Sequence, residues 1–439
     1  MQFYKEENFK DSEIGKIPED WDVKTLDDIS KNMYYGITAK AVGESTILKM
    51  IRTTDIKDYK IDWQNLPYCE ITEKRKNNIS KYFIKKGDIL ISRAGTVGVS
   101  VLVDRDVDNV IFGSYLIKID LKNDYVNPQF VYYYLQSPYY WNHIKNTSAG
   151  STLKNINLPI IKSLKIPLPS LEEQKAIAKV LSDFDSLIET INKQIETLNK
   201  TKKGMMQQLL TGNIRVKIKD GKITFQKENN FKDTEVGKIP EDWEVVRLGD
   251  VAYKFISGGT PSTKVPQYWN GDIPWIRSVH ITKFYIDKNS IEQYITKEGL
   301  ENSAAKIVPK GNLIIATRVG IGKSAVNLID VAINQDLTGI VLNKSKIEPF
   351  FLVWYLNSPK ITSLLESFSR GTTIKGIPQD YIRKLVIPLP PLEEQKKIAE
   401  ILSNIDKKIE IKRKEKEQVE KAKKKVMDLL LSGKVRVRT

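Results

Sequence analysis

The stretch "RVGIGKS" is the part of this sequence that comes nearest to catalytic machinery, because Gly322, Lys323 and Ser324 match the close of a phosphate-cradling loop. Thr317 stands where that loop needs its first glycine, and the related stretch "AGTVGVS" has no lysine. A glycine-permitted turn after the strand-like runs "GDILIS" and "GNLIIAT" is the better reading. Cys69 is the only cysteine, and His143 and His280 are the only histidines, so internal disulfides and clustered Cys/His zinc sets are excluded. No glycine-rich cofactor fingerprint follows a strand, and "SPYY" at Ser137 falls one residue short of an amino-methyltransferase tetrad. A nuclease needs clustered carboxylates for metal ions. Glu172 and Glu173, repeated as Glu393 and Glu394, are explained instead by the positive end of a helix dipole. No catalytic residue and no metal ligand is expected.

What remains is recognition. A formal charge of +16 favours a polyanionic partner, nucleic acid first, ahead of an anionic membrane or an acidic protein. Arg52 in "KMIRTTDI" matches Arg277 in "PWIRSVHI", and Arg93 in "LISRAG" matches Arg318 in "IATRVG". Arginine offers paired donors to guanine edges or phosphates. Thr54 and Ser278 lie beside the first arginine pair. "YGITAK" brings Thr38 and Lys40, and "GGTPSTK" brings Gly259, Thr260 and Ser262. "GSTLK" brings Ser151, Thr152 and Lys154, and "GTTIK" brings Thr372, Thr373 and Lys375. Such loops join backbone freedom, hydroxyl donors and a cation, which suits close approach to DNA. The alternative is that each arginine pairs with a carboxylate of its own domain and each Gly-Thr only turns the chain.

The elements that position these residues are written twice. "NFKDSEIGKIPEDW" from Asn8 returns as "NFKDTEVGKIPEDW" from Asn230, and "NPQFVYYYLQSP" from Asn127 returns as "EPFFLVWYLNSP" from Glu348. "KIPLPSLEEQKAIAKVLS" from Lys165 becomes "VIPLPPLEEQKKIAEILS" from Val386. These pairs lie 221 or 222 residues apart, and the halves differ most in Met33–Tyr82 against Phe255–Lys306. A strict frame surrounds a variable insert. With 439 residues the chain exceeds one typical core. No run approaches the roughly 18 to 20 apolar residues of a membrane helix, and the N-terminal stretch lacks an apolar signal, so a cytoplasmic location is expected.

After each "PLP" the apolar period becomes that of a long helix. Its seam reads Ile177, Leu181, Phe184, Ile188, Ile191, Ile195 and Leu198 in the first copy. In the second it reads Ile398, Leu402, Ile405, Ile409, Val419 and Val426, with Lys412, Lys416 and Lys423 in the weaker stretch. Steps of four and three make a heptad stripe. Gly212 and Gly433 supply the stops. Two matched stripes of roughly 40 residues predict an antiparallel pair, each helix spanning roughly 60 Å. The second helix is followed by "KVRVRT" with no hairpin, whereas the first leads into "NIRVKIKDGKITFQ", which turns at Asp220-Gly221. The N-terminal "MQFYKEENFKD" aligns with the returning strand, so Gln2–Tyr4 is expected to pair with Val435–Arg438 and bring the termini together.

In this order and twice over, "GKIPEDW", "GGTPSTKVPQYWNGDIPWIR", the G-S/T-T-x-K stretch and "IPLPPLEEQKKIAEIL" resemble the specificity subunit of type I restriction-modification enzymes across essentially the whole chain. The first insert departs from the usual wording, with "YYGITAK" and "LKMIR" in place of "GGTPS" and "IPWIR". The resemblance implies an α+β fold with two pseudo-symmetric globular α/β target recognition domains separated by two long antiparallel helices forming a coiled coil. The implied division is recognition domain 1 over 1–165, the first spacer helix over 166–212, domain 2 over 213–386 and the second helix over 387–439. It implies a non-catalytic subunit that reads an asymmetric bipartite target in double-stranded DNA, the helices acting as a ruler. It also implies two methyltransferase subunits and motor-nuclease subunits as partners, with S-adenosylmethionine, ATP and magnesium used by those other subunits and no cofactor on this chain. Two competing readings are a stand-alone DNA-binding scaffold or repressor, and an autonomous nuclease or nucleotide-dependent enzyme.

Overall fold

The computed structural model describes residues 2–43, 46–71, 79–147, 155–370 and 376–438, the side chains of 369 and 370 excepted. The chain divides into two units, Met1–Asn192 with Lys414–Thr439, and Lys193–Arg413. Each repeats one order of parts.

In the second unit, strands Ile214–Lys219 and Lys222–Lys227 form a hairpin around Asp220 and Gly221, both at positive φ. In the first unit the same ladder is made by the two ends of the chain. Phe3–Lys5 lies antiparallel to Val435–Val437, with Tyr4 opposite Arg436, and Arg438 donates its N–H to the Gln2 carbonyl at 2.9 Å. The split hairpin expected from the sequence is present, within one residue of the expected strands. Next comes the hairpin of "GKIP": Phe9–Ser12 with Gly15–Pro18, and Phe231–Thr234 with Gly237–Pro240. "IPLP" is itself a strand, Lys165–Leu168 against Asp22–Thr25 and Val386–Leu389 against Glu244–Arg247. Each ladder has only two strands, so a proline there need not donate inward.

The long helices run Leu171–Leu209 and Leu392–Leu431. Within the first unit Asp185 pairs with Lys423 at 2.6 Å, while Glu173, twelve residues earlier, pairs with Arg436, thirteen residues later. In the second unit Glu394 meets Arg215 and Asp406 meets Lys202 at 2.8 Å. The segments therefore run antiparallel in each unit. Of the seam residues, Ile177, Leu181, Ile191, Ile398, Leu402 and Ile409 are buried. Phe184, Ile188, Ile195, Leu198, Ile405, Val419 and Val426 are half-buried, as are Lys412, Lys416 and Lys423. At the helix stops, a β-carbon on Gly212 or Gly433 would sit 2.4 Å from the ring of Pro240 or Pro18, at a positive φ. Only glycine fits there.

Beside the two-stranded ladders, the described residues of each unit form two sheets of four or five strands. In the first unit one has the order Ser100–Leu102, Ile89–Ser92, Leu116–Leu121, Ser30–Tyr35, and the other Val110–Phe112, Lys49–Ile51, Tyr68–Glu70, Lys40–Val42. The second unit repeats the first of these as Ser324–Asn327, Asn312–Ala316, Leu337–Leu342, Ala252–Ser257, and adds Tyr285–Ile286 at one edge. Its other sheet is Gln293–Ile295, Trp269–Ile276, Val331–Ile333, Lys306–Val308. The central strands read as apolar runs because both faces are covered: Ile89–Ser92 and Asn312–Ala316 are buried throughout. Short helices with proline in the first turn, Pro128–Tyr134 and Pro349–Leu356, are capped by the side chains of Asn127 and Glu348.

One buried knot ties each unit. Arg436 donates to Glu173 at 2.7 Å from both Nε and Nη2, to Asp20 at 2.8 Å and to Glu6 at 2.7 Å, and Trp21 donates its Nε1–H to Glu173 at 3.2 Å. Arg215 repeats this with Glu394, Asp242 and Glu228, and Trp243 donates to Glu394 at 3.2 Å. Glu173 and Glu394 are buried, so the dipole explanation from the sequence applies to the exposed Glu172 and Glu393 and is corrected for their neighbours. Burial pulls each guanidinium toward the neutral form. The hydrogen bonds to three carboxylates outweigh it and hold Arg436 and Arg215 above the ordinary arginine value. This is the structural use of "PEDW": its aspartate and fully buried tryptophan join the end of one long helix to the beginning of the other.

Candidate nucleic-acid interface

Four segments meet at one place in the first unit. Parallel pairing of Val110–Phe112 with Lys49–Ile51 sets the ends of both strands side by side. The Gly113 N–H donates to Ile51 at 2.8 Å, Ile37 to Phe112 at 3.1 Å, and Arg93 to Tyr115 at 2.8 Å. The loops that follow these strands converge on a hollow of about 340 Å³ lined by Thr38, Arg52, Thr54 and the exposed Tyr115.

The second unit makes the same junction with the same bonds. Asn334 donates to Ile276 at 3.0 Å, Gly259 to Ile333 at 3.0 Å, and Thr317 to Asp336 at 2.8 Å. Thr38 thus corresponds to Thr260, Arg52 to Arg277, and Tyr115 to Asp336. The backbones cross so tightly that a β-carbon on Gly36 or Gly258 would lie 2.1 Å from the carbonyl oxygen of Gly113 or Ile333. Both glycines are steric requirements of the junction.

The sequence-expected residues fall into place unevenly. Thr38, Lys40, Arg52, Thr54, Thr260, Ser262, Arg277 and Arg318 are exposed, and Thr260 donates its hydroxyl to the Gln335 side chain at 2.6 Å. Gly259 is buried, its carbonyl accepting from Trp275 Nε1 at 3.1 Å. Ser278 is corrected: it is only 3% exposed, and the residue its turn presents outward is Val279. The turn is a 3-10 helix of three residues whose side chains point in three directions, and here Ser278 and His280 are the two that face inward. The pairing of Arg93 with Arg318 is also corrected. Ser92 lies opposite Leu116 as Ala316 lies opposite Leu337, and Ile156 donates to Arg93 as Ile377 donates to Thr317. Arg93 therefore corresponds to Thr317, and Arg318 comes one residue later, where the side chain changes face. Arg93 is half-buried with its guanidinium 4.5 Å from the Tyr35 ring centre, whereas Arg318 is exposed. Ser151, Thr152, Lys154, Thr372, Thr373 and Lys375 lie outside the described residues.

"GIGKS" is a turn between antiparallel strands, with the Gly322 N–H donating to Ala316 at 3.0 Å and Gly320 and Gly322 at positive φ. It does not lead from a strand into a helix, as a phosphate loop must. Among the described residues no group of three or more His, Cys, Asp or Glu is placed to hold a metal ion, and no helix is long and apolar enough to cross a membrane. Cys69 is buried, which pushes its thiol up to about 11.

Sequence reading missed the residues that follow Arg52 and Arg277. Asp55 accepts the Arg52 N–H at 2.8 Å and grips its side chain through Nε at 3.0 Å and Nη2 at 2.8 Å. His280 holds the corresponding place and accepts the Arg277 N–H through Nδ1 at 3.0 Å. The signal was present as an acceptor three residues after each arginine, the spacing of a capping turn.

The chain is duplicated and strongly basic, and each of its two units carries a matched loop cluster. The family model for the type I restriction modification DNA specificity domain matches residues 18–200 and again 240–421, and the chain belongs to that family. The type I restriction enzyme MjaVIII specificity subunit of Methanocaldococcus jannaschii is 36% identical over 458 aligned residues, covering 100% of this chain and 98% of the relative. A protein of the same organism named for the MjaX specificity subunit is 40% identical, covering 100% and 99%. Among solved structures, the type I restriction-modification S subunit from M. genitalium superposes with a TM-score of 0.57 at 15% identity, covering 95% of this chain and 97% of that one. The fold is therefore that of a specificity subunit, and DNA sequence specificity is the role of this chain.

Proposed function

We propose that the two units read the two parts of a bipartite, asymmetric sequence in double-stranded DNA, with recognition modules over 1–165 and 213–386. The observation that carries this is the paired junction. Both units build it from the same backbone hydrogen bonds, yet they carry different side chains at matched places, Tyr115 against Asp336 at the junction and the buried Asp55 against the buried His280 in the turn after each arginine. A conserved scaffold with divergent facing groups is what two readers of different sequences require. The DNA-facing residues proposed are Thr38, Lys40, Arg52, Thr54, Thr260, Ser262, Arg277 and Arg318. Arg93 is placed behind them, steadying Tyr35. The helices over 166–212 and 387–439 set the gap between the two half-sites.

The family to which the chain belongs supports a complex in which methyltransferase and motor-nuclease subunits supply catalysis with S-adenosylmethionine, ATP and magnesium. The test is methyl transfer to DNA by a cognate methyltransferase subunit with and without this chain. Sequence-directed transfer only in its presence is expected. Equal, sequence-independent transfer in both would refute the reading.

A further inference from the structure

The two reader arginines sit in the same turn at the same position, but they are held differently. Arg52 is gripped along one side by Asp55, itself 6% exposed, through Nε–H and one Nη2–H, while the Arg52 side chain remains 44% exposed. In the second unit His280 accepts only the backbone N–H of Arg277 and lies 3.4 Å from Glu292 on its far nitrogen. No carboxylate among the described residues lies within ion-pairing distance of Arg277.

We propose that Asp55 is a positioning residue that locks Arg52 to read one guanine in the half-site of the first module, a lock the second module lacks at Arg277. The inference rests on the two-reader function proposed above. A guanidinium carries five N–H groups in a plane. Asp55 takes two of them on the Nε side, which leaves the Nη1/Nη2 end with parallel donors pointing away from the carboxylate. That edge matches two acceptors side by side, the O6 and N7 of guanine or two oxygens of a phosphate.

The charge decides between them. Asp55 neutralises Arg52 at hydrogen-bonding distance, which removes most of its long-range attraction for phosphate but leaves the donor geometry intact. A neutralised, immobile donor pair suits an uncharged base edge. Phosphate contact gains from net positive charge and tolerates mobility. The ion pair also fixes the rotamer before binding, so less side-chain entropy is lost when the base is engaged. Hydrogen bonding to Asp55 holds the Arg52 guanidinium above its ordinary pKa, in line with that pairing. Arg277 has no such partner among the described carboxylates, so its side chain is fixed only when it meets its own half-site.

The test is selection of duplexes from a randomised pool by the full-length chain, with thermal stability measured in parallel. Asp55→His copies the second module's turn, keeping the backbone cap while releasing Arg52. It should reduce preference for guanine at one position of one half-site by about ten- to a hundredfold, leave the other positions unchanged and leave stability close to the parent. Arg52→Lys keeps the charge and loses the paired edge, so it should lose the same preference even if Asp55→His fails to fold. Unchanged discrimination in both variants would overturn the proposal. So would an Arg52→Ala variant that weakens all sequences equally, which marks a phosphate grip. A parent chain with no sequence preference at all would instead refute the two-reader function itself.

Discussion

Replacing Arg436 by alanine removes the cation at the centre of the first unit's knot and leaves Glu173 in the interior, where its side chain is 5% exposed. Glu173 keeps one donor, the Trp21 indole at 3.2 Å, and loses two at 2.7 Å. Breaking a buried ion pair from one side typically costs about 3–5 kcal/mol, because the remaining charge is stranded. Asp20, 63% exposed, recovers water and adds little. For a unit of this size each kcal/mol lowers the melting temperature by about 2–4 °C, so the first unit should melt about 6–20 °C earlier. Calorimetry on the full chain, with limited proteolysis to identify the unit that opens, reads this directly. Glu173→Gln in the Arg436→Ala background should recover part of the loss, since it removes the stranded charge. A drop below about 2 °C, or a coupling between Arg436 and Glu173 under about 0.5 kcal/mol in a double-mutant cycle, would refute the reasoning.

Three further outcomes follow from the same geometry. Gly258→Ala places a carbon 2.1 Å from the Ile333 carbonyl oxygen, so it should cost about 1–3 kcal/mol or more and abolish reading of one half-site, which duplex selection would show. Acid should loosen the second unit through its knot: hydrogen bonds from the Asn230 amide and Arg215 hold Glu228 down to about 2, and Arg215 also lowers Asp242. A depressed carboxyl adds stability above its unfolded value and loses it as pH falls through the folded one, so melting temperature should fall between about 4.5 and about 2, less steeply in Arg215→Ala. Inserting four residues near Thr197, about one helical turn, should lengthen the gap between half-sites without changing either, as mapping of the bound sequences would reveal.

What was legible in the sequence was whatever repeats or has a period. The heptad stripe, the Asp220-Gly221 turn and its counterpart split between the two ends were visible because each is local or duplicated. The knot was not, because Arg436 lies 263 residues from Glu173 and nothing local marks a strand arginine as the partner of a helix-start glutamate. Glu173 therefore looked like an ordinary first-turn acid. The turn after Arg52 and Arg277 was half legible. Its arginines aligned, but the face of Ser278 depended on a three-residue 3-10 turn, and the register of Arg93 depended on a loop that shifts the alignment by one residue. A one-residue slip reverses a side chain in a strand, and residue matching alone does not detect it.

The most direct test of two readers on one scaffold is duplex selection with the parent chain, Arg52→Ala and Arg277→Ala compared side by side. The parent should enrich two short constant words separated by a gap of fixed length, and each variant should lose preference in one word while keeping the other. Loss of both words together in either variant, or no change in both, would contradict the account.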